Sequence, residues 1–553
     1  MNLKSKSFIR LALVFCVTTL FIGCNKSRDY TKVSRGTGWD LNSKEGGFRF
    51  NPKFKEQPTG PGLVFIEGGT FTMGKVQDDP LGDWNNTPTQ QHVQSFYMDE
   101  TEVTNLMYLE YLDWLKHTFS PEEPGYENIY IGALPDTLVW RNRLGNNEVM
   151  TENYLRHPAY AEYPVVGVSW IQAMEYSKWR TDRVNEIMLE REGYVAKGAP
   201  YKAKAGETFS TGTYLTAPTL AYGGNDSITR GGKESERIAK RSPDSTNLYA
   251  QQKDGVILPA YRLPTEVEWE FAALGMSDLR EYNTYRGRKK YPWSGSYTRS
   301  GNRGMVGQQL ANFKQGKGDY GGIPGWSDTG ADITAKVGSY PPNDYGLYDM
   351  AGNVAEWVAD IYRPMIDDEY NDFNYYRGNI YTKNKIGEDG RVQVVTPEDI
   401  VYDTLSNGKI IARNLPGDIH KVELEESDMY LRTNFSESDQ RDFRDGDKMS
   451  TRNYQSFGFE TEDEAARMYN APQHEVYADS TGLALQYDKS NDRNTLVDNE
   501  VRVYKGGSWR DRSYWLDPAQ RRFYPQDMAT DFIGFRCAMS RVGSKTQGNR
   551  KRR

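Results

Sequence analysis

The stretch YGLYDMAGNVAEW, residues 345–357, carries the strongest information about the fold. It combines glycines with an apolar run that ends in Trp357, and a similar combination of glycines and a tryptophan recurs at Gly506-Gly507 and Trp509. Glycine pairs suit turns that need positive backbone torsions. A tryptophan buries a large face while its indole N–H bonds to a loop carbonyl. We therefore predict a domain held together by loops, with Trp269, Trp357 and Trp509 as aromatic anchors.

Further motifs lie on both sides of this stretch, in a fixed order. They are FIEGGTFTMG (65–74), TEVTN (101–105), PVVGVSW (164–170), YRLPTEVEWE (261–270), KGGSW (505–509) and GFRCA (534–538). Taken together, the motifs resemble the formylglycine-generating (sulfatase-modifying factor) family over roughly half of the chain. The resemblance implies an α+β, C-type-lectin-like fold with little regular secondary structure and two long insertions.

Local patterns predict a few regular elements inside this fold. Apolar residues recur at helical spacing over 105–116 and 170–190. A third helix begins at Thr265, whose hydroxyl caps the first turn while Glu268 reaches back. Short apolar runs at 63–66 and 71–73, separated by glycine pairs, predict strands. The rest is expected to be mostly loop.

The local amino-acid composition of the chain predicts its domain organisation. Polar, glycine-containing stretches precede and interrupt the motif-bearing part, and loops of such length are uncommon unless functional or disordered. The predicted parts are a signal peptide (1–23), a flexible tether (24–60), the family domain (61–542) with insertions at 191–257 and 361–500, and a basic C-terminal tail (543–553).

The first residues predict export and lipid anchoring. Basic residues precede an apolar run from Leu11 to Ile22, which is too short to span a bilayer and ends at Gly23-Cys24. Residues 21–24 resemble the bacterial lipobox, although Phe21 stands where leucine is usual. The resemblance implies cleavage before Cys24, acylation of that cysteine, and, because Asn25 follows, an outer-membrane protein that faces the periplasm. A signal anchor is the alternative.

Several kinds of chemistry are excluded by the sequence. The five histidines are far apart, with no pair at metal-binding spacing, which argues against a zinc hydrolase. Neither a phosphate-binding Gly-Lys-Ser/Thr loop nor a Gly-x-Ser-x-Gly nucleophile elbow occurs. A net charge of -7 is small for 553 residues and argues against a nucleic-acid surface.

The family's own reaction, as the resemblance implies it, is copper-dependent oxidation of a cysteine in a client sulfatase. That reaction needs two enzyme cysteines, since soft thiolates select copper(I). In this chain the two positions are occupied by Trp515 and Gln520. Cys537 matches a different family cysteine, and its apolar surroundings predict a buried, inert thiol. We therefore expect no catalytic residue, no copper and a pseudoenzyme.

Calcium is the cofactor that the resemblance implies, as a structural ion bound by loop oxygens. The ligand positions carried over from the family are Asn312 with Asp332 for one site, and Asn353 with Glu356 for the other, completed by backbone oxygens near Phe313, Thr334 and Gly352. The alternative is that these four side chains only cap turns.

Among cysteine-free relatives, the chain resembles lipoproteins of bacterial gliding motility. This resemblance implies a non-enzymatic scaffold for gliding and the associated type IX secretion machinery. The implied partners are other gliding and secretion lipoproteins, such as a GldK-like protein, and the membrane, but not nucleic acid. Two alternatives remain: an oxidase that uses other residues of the same scaffold, and a lectin-like module that binds cell-wall glycan.

Overall fold

Short helices and strands joined by long loops make up the computed structural model of the chain. The described residues are 33–42, 48, 50–51, 54, 56–75, 86, 88–141, 147–202, 206–241, 248–276, 289–315, 331, 333–362, 381–405, 408–424, 426–428, 476–478, 484–486 and 500–543. The signal peptide, Cys24 and the tail beyond Gly543 lie outside them. Within the described ranges, no helix has the length and apolar character needed to cross a membrane.

The α-helices are α1 (Asn105–Thr118), α2 (Glu127–Ala133), α3 (Glu148–Asn153), α4 (Trp170–Arg191), α5 (Ala199–Lys202), α6 (Thr211–Thr216), α7 (Asp226–Thr229), α8 (Lys233–Arg241) and α9 (Glu266–Leu274). The strands are β1 (Leu63–Ile66), β2 (Gly69–Met73), β3 (Thr89–Val93), β4 (Phe96–Asp99), β5 (Tyr261–Arg262), β6 (Ala355–Ile361), β7 (Thr382–Asn384), β8 (Tyr402–Thr404), β9 (Ile410–Ala412), β10 (Lys421–Glu423), β11 (Val476–Ala478), β12 (Ala484–Gln486), β13 (Val501–Lys505), β14 (Arg522–Pro525), β15 (Ile533–Gly534) and β16 (Ala538–Ser540). This mixed content confirms the α+β class.

Two four-stranded sheets organise the domain. The first has the order β1-β4-β16-β5, with antiparallel neighbours throughout. The second has the order β14-β13-β6-β15, in which only β15 runs parallel to its neighbour. β2 and β3 form a separate hairpin. Since β15 and β16 follow each other closely, the last strands of the chain tie the two sheets together.

The three predicted helices are confirmed, and the capping box predicted at Thr265 is present, together with a second one at Ser169. The Ser169 hydroxyl accepts from the Gln172 backbone N–H at 3.3 Å, and the Gln172 side chain accepts in return from Ser169 N–H at 2.9 Å, which starts α4. Thr265 and Glu268 make the same reciprocal pair at the start of α9. Each cap satisfies backbone donors that a helix start leaves free. The strands predicted at 63–66 and 71–73 are β1 and the end of β2.

β6 runs through the centre of the core, and all seven of its residues are buried. Alternate side chains of a strand point to opposite faces. Trp357 therefore packs into the cluster formed by α1, α4 and the first sheet, whereas Val358 packs into the cluster formed by α9, β2 and β3. One strand is shared by both apolar cores.

The predicted tryptophan anchors are all buried, and two bond as expected. The Trp357 indole N–H donates to the Val168 carbonyl, and the Trp509 indole N–H donates to the Asp531 carbonyl, each at 3.1 Å. The Trp269 indole instead donates to the Glu356 carboxylate at 2.7 Å. The third anchor is thus fixed by a charged side chain rather than by a loop carbonyl.

Residues 191–257 have more regular structure than their composition suggests. Helices α5, α6 and α7 contribute to a separate apolar cluster, which includes Phe209, Tyr214 and Tyr222. The Tyr222 hydroxyl donates to Glu186 of α4, so the cluster is fixed to the main core. A few aromatic residues, spread through a polar stretch, are enough to order it.

Packing also begins before Pro61, within the segment interpreted as a tether. Gln57 is buried, and its amide N–H donates to the Ser540 carbonyl at 3.4 Å. Asn51 donates to the Asp254 carbonyl at 2.9 Å. The end of this segment therefore lies along the first sheet and the residue 252–258 region.

A buried ion pair joins the two sheets. Arg536, between β15 and β16, binds both carboxylate oxygens of Glu356 on β6, at 2.6 and 2.7 Å. Its remaining N–H groups donate to the carbonyls of Asp99 at 3.1 Å and Tyr348 at 2.8 Å. Both side chains are at most 1% exposed. The guanidinium thus connects β4, β6 and the 345–350 loop.

Glu356→Gln should weaken folding strongly, because it leaves the Arg536 charge buried without its counterion. Breaking a buried pair in this way costs about 3–5 kcal/mol. Urea unfolding followed by tryptophan fluorescence measures the loss.

Glu148→Gln is the matched control, because the Arg141–Glu148 pair is more than half exposed on both sides. We expect its unfolding midpoint to equal that of the wild type. A wild-type midpoint for Glu356→Gln would show that the central pair does not stabilise the fold.

Candidate functional site

Trp515 and Gln520, where the resemblance implies the family's two cysteines, lie on the segment that follows β13. Trp515 belongs to a single 3-10 turn, Ser513–Leu516, and the Arg522 guanidinium lies 4.6 Å from the centre of its ring. Gln520 is buried, and its amide nitrogen has no hydrogen-bond partner among the described residues. Neither side chain supplies a thiolate, so these positions provide packing and a cation–π contact.

The turn before this segment explains the KGGSW motif. Gly506 and Gly507 both have positive φ values, 96° and 69°. A Cβ on Gly507 would come within 2.8 Å of the Trp515 carbonyl oxygen. Only glycine fits this close approach without strain. The two glycines therefore allow the 3-10 turn that carries Trp515 to pack closely against the end of β13.

The Asp511 carboxylate also holds the segment that carries Trp515. Asp511 accepts two hydrogen bonds from the Arg522 guanidinium, at 2.6 and 2.7 Å, and a third from the Ser508 hydroxyl at 2.6 Å. Bidentate arginine–carboxylate pairs fix orientation as well as distance. The backbone around Trp515 is thus fixed by the contacts of Asp511 with Ser508 and Arg522.

Beneath Gln520 lies a buried cluster of charges. Lys505 Nζ lies 2.7 Å from a Glu270 oxygen and 3.2 Å from a Glu266 oxygen, and Arg521 donates to Glu266 at 2.7 Å. All four side chains are at most 3% exposed. Burial, reinforced by nearby Glu266, raises the pKa of Asp360 to about 7. Two cations thus face the three carboxyl groups of Glu266, Glu270 and Asp360, and the cluster joins β13 to α9.

The first predicted calcium position has one feature that fits an ion. Asn312 is fully buried, and its side-chain oxygen has no partner among the described residues. Its amide N–H donates to the Ile333 carbonyl at 2.7 Å. Amide and backbone oxygens are ligands that calcium prefers. Asp332, the other predicted ligand, lies outside the described residues.

The second predicted pair does not fit calcium in this arrangement. Glu356 is bound on both oxygens by Arg536 and also accepts from the Trp269 indole at 2.7 Å. The guanidinium therefore fills the place that an added cation would need. Across the described residues, no group of three or more histidine, cysteine or acidic side chains is arranged to hold a metal.

Asn353, the partner predicted for Glu356, bonds elsewhere. Its amide N–H donates to Glu102 at 2.6 Å, and its oxygen accepts from the Ala335 backbone N–H at 2.7 Å. Glu102 is fully buried, and burial together with nearby Asp349 and Glu356 raises its pKa well above the usual range. Asn353 therefore bridges two loops and satisfies a buried carboxyl group.

Two residues of this network, Glu102 and Arg536, were not assigned a role from the sequence. Both lie inside quoted motifs, TEVTN and GFRCA. In GFRCA, a charged residue among apolar ones is a signal, since such residues are rarely buried unless paired. Glu356, the partner of Arg536, is 180 residues away, and Asn353, the partner of Glu102, is 251 residues away, so spacing along the chain indicates neither pair.

Cys537 is buried, as predicted. Its sulfur lies 3.4 Å from the Ser177 hydroxyl, and burial, with Asp99 nearby, raises the thiol pKa to about 12. The thiol is therefore protonated near neutral pH and inaccessible to solvent. A reactive cysteine needs the opposite surroundings.

Comparison with known proteins places this geometry in a family. The model of the sulfatase-modifying factor enzyme 1-like domain matches residues 49–396. A formylglycine-generating enzyme from Thermomonospora curvata is 40% identical over 318 residues, which cover 56% of this chain and 74% of that protein. The inactive C-alpha-formylglycine-generating enzyme 2 of Bos taurus is 39% identical over 323 residues, covering 54% and 71%.

A third relative is much longer than the shared region. The serine/threonine-protein kinase pkn1 of Chlamydia pneumoniae is 27% identical over 310 residues, 56% of this chain but only 29% of the kinase. The similarity therefore extends to one part of that protein. Because the family model matches more than half of the chain, and two relatives near 40% identity are matched over more than two thirds of their own length, the chain belongs to the formylglycine-generating, or sulfatase-modifying factor, family.

Proposed function

We propose that this chain is a non-enzymatic member of its family: an outer-membrane lipoprotein scaffold needed for gliding motility and the associated type IX secretion machinery. Along its whole length it resembles the gliding-motility lipoprotein GldJ. A GldK-like lipoprotein, which shares the domain, is the expected neighbour. Its role would be to hold partners at one membrane face rather than to turn over a substrate.

The observation that carries this proposal is the loss of the thiol pair from an otherwise intact framework. Trp515 and Gln520 occupy the two positions, and the one cysteine in the described part, Cys537, is buried with a raised pKa. Copper(I) chemistry needs soft thiolate ligands. A precedent exists among the relatives, because the bovine protein at 39% identity is named as inactive.

Incubated with copper, oxygen and a cysteine-containing sulfatase-type peptide, the purified chain should oxidise none of the peptide thiol beyond the buffer background. The physical reason is the absence of an accessible thiolate pair. Mass spectrometry of the peptide measures the product, and the Thermomonospora curvata enzyme serves as the positive control.

The same assay tests the main alternative, an oxidase that uses other residues. It is repeated with iron in place of copper while oxygen consumption is recorded. Metal-dependent oxygen uptake that a single substitution abolishes would establish an enzyme and overturn the scaffold proposal.

The lipid anchor is the second part of the proposal. Gene deletion should abolish gliding and secretion, and Cys24→Ala should give a folded protein that leaves the membrane fraction and fails to restore motility. Several acyl chains are needed for firm anchoring, so removing their attachment site releases the protein. Cell fractionation and a gliding assay measure the two effects.

Cys16→Ala is the matched control, since Cys16 lies within the segment expected to be cleaved. We expect it to remain anchored and motile. Full motility with Cys24→Ala in soluble form would show that membrane placement is dispensable.

We further propose that calcium binds at Asn312 and orders the surrounding loops. The support is the buried side-chain oxygen without a partner. An ion that binds only the folded state stabilises it, by about 2.7 kcal/mol at a concentration of 100 times Kd. Added calcium should therefore raise the melting temperature of the wild type, and Asn312→Ala should abolish that increase.

Differential scanning calorimetry with calcium and with chelator gives the difference for each variant, which is independent of any overall loss of stability. The exposed Asn302 supplies the control, Asn302→Ala, which should respond as the wild type does. An unchanged calcium response in Asn312→Ala would exclude this site.

A further inference from the structure

A large cleft lies away from the positions of the family cysteines. Its volume is about 1130 Å³, and none of its lining residues belongs to the 505–525 segment. One wall is α4, a second comes from residues 210–215 and 252–261, and a third from residues 413–421. Pockets for drug-sized ligands occupy about 300–1000 Å³. The cleft therefore has room for more than a small molecule.

The third wall contains a strand with one open edge. β10 pairs with β7, and no second neighbour of β10 occurs among the described residues. Just before it, the Asp418 carbonyl accepts from Val395 N–H at 2.8 Å, and His420 N–H donates to the Gln393 carbonyl at 2.9 Å. The even-numbered residues 418 and 420 thus bond toward the β7 side.

In an antiparallel ladder, alternate residues direct their backbone groups to opposite sides. Ile419 and Lys421 therefore direct their N–H and C=O groups away from β7, and these groups have no partner in the described part of the chain. Ile419, His420 and Lys421 all line the cleft. The cleft is accordingly bordered by a backbone edge that can accept another strand.

The charges around the cleft favour an acidic ligand. Four cations line it, Lys178, Lys253, Arg413 and Lys421, against two carboxylates, Asp182 and Asp418. Lys178 pairs with Asp418 at 2.6 Å, and Arg413 pairs with Asp403 just outside the cleft, while Asp182 accepts from the Thr211 backbone N–H at 2.7 Å. The lining still has two more cations than carboxylates, with Lys253 and Lys421 outside these two ion pairs, in a chain whose net charge is -7.

The walls also provide apolar contacts and a free polar atom. Met174, Leu215 and Ile257 line the cleft together with Ile419. His420 Nδ1 is buried without a hydrogen-bond partner among the described residues.

We propose that this cleft binds an extended, acidic segment of a partner protein, which adds a strand to the Ile419–Lys421 edge and places alternate apolar side chains against α4. Backbone pairing supplies affinity in this mode of recognition, and the side-chain pockets supply specificity. The inference rests on the proposed scaffold function and gives that scaffold a docking site with a defined partner chemistry.

The probe is a library of short random peptides displayed on phage and panned against the full chain in detergent. Enriched peptides should combine acidic residues with alternating apolar ones, and the tightest is synthesised for fluorescence polarisation. N-methylation of its backbone should weaken binding about tenfold at alternate positions, because each lost hydrogen bond to the edge counts. The intervening positions should tolerate it. This measurement uses the unaltered protein, so a folding defect cannot account for the result.

Charge reversal provides the second arm. Lys421→Glu should weaken the peptide about tenfold, whereas Lys116→Glu, on an exposed position of α1 outside the cleft, should not. No enriched peptide, equal tolerance of N-methylation at every position, or capture of a fluorescent fatty acid that no peptide displaces would each overturn the proposal.

The outcome is separable from that of the turnover assay. A chain that oxidises a substrate but still binds the peptide refutes only the scaffold function. A chain with neither activity refutes only the docking site.

Discussion

The contact between Arg536 and Glu356 is the constraint on which the rest of the fold depends. A guanidinium buried this deeply is tolerated because a carboxylate and backbone carbonyls accept hydrogen bonds from its nitrogens. Those partners come from β4, β6 and the 345–350 loop, so satisfying one charge fixes the relative position of both sheets. Glu102 and Asn353 extend the network into the neighbouring loops. In a domain with short strands and long connections, this network holds the elements together, as extended sheets do in other folds.

The segment that carries Trp515 and Gln520 is held by further contacts, those of Lys505, Arg521 and Arg522. It also joins this framework directly, because the Trp509 backbone N–H donates to the Asn353 carbonyl at 2.8 Å and the Gly352 backbone N–H donates to the Gly506 carbonyl at 2.9 Å. The two parts are therefore packed as one core. Around this core, residues 191–257 have an apolar cluster of their own and residues 413–421 border a cleft. The proposed scaffold function would depend on surfaces of this kind.

How much the sequence predicts depends on how local the interaction is. The cap of α9 depends on residues three apart, and the pattern identified it correctly, as apolar spacing identified the helical span of α4. The loop-carbonyl bonds of Trp357 and Trp509 followed from the chemistry of the indole. Glu356 shows the limit: from the sequence alone its carboxylate fits calcium or arginine equally well, and the arginine that it binds, Arg536, is distant along the chain. The cleft could not be predicted at all, because its walls come from segments far apart in sequence.

The proposed scaffold function means that the domain is retained for its structure and not for a reaction at the positions of Trp515 and Gln520. Complementation of a deletion strain tests it most directly, by comparing Gln520→Ala with Arg536→Met at equal expression. The account predicts that Gln520→Ala restores gliding and secretion fully, whereas Arg536→Met restores neither because the two sheets lose their connection. Loss of function with a stably folded Gln520→Ala protein, or full function with Arg536→Met, would contradict it.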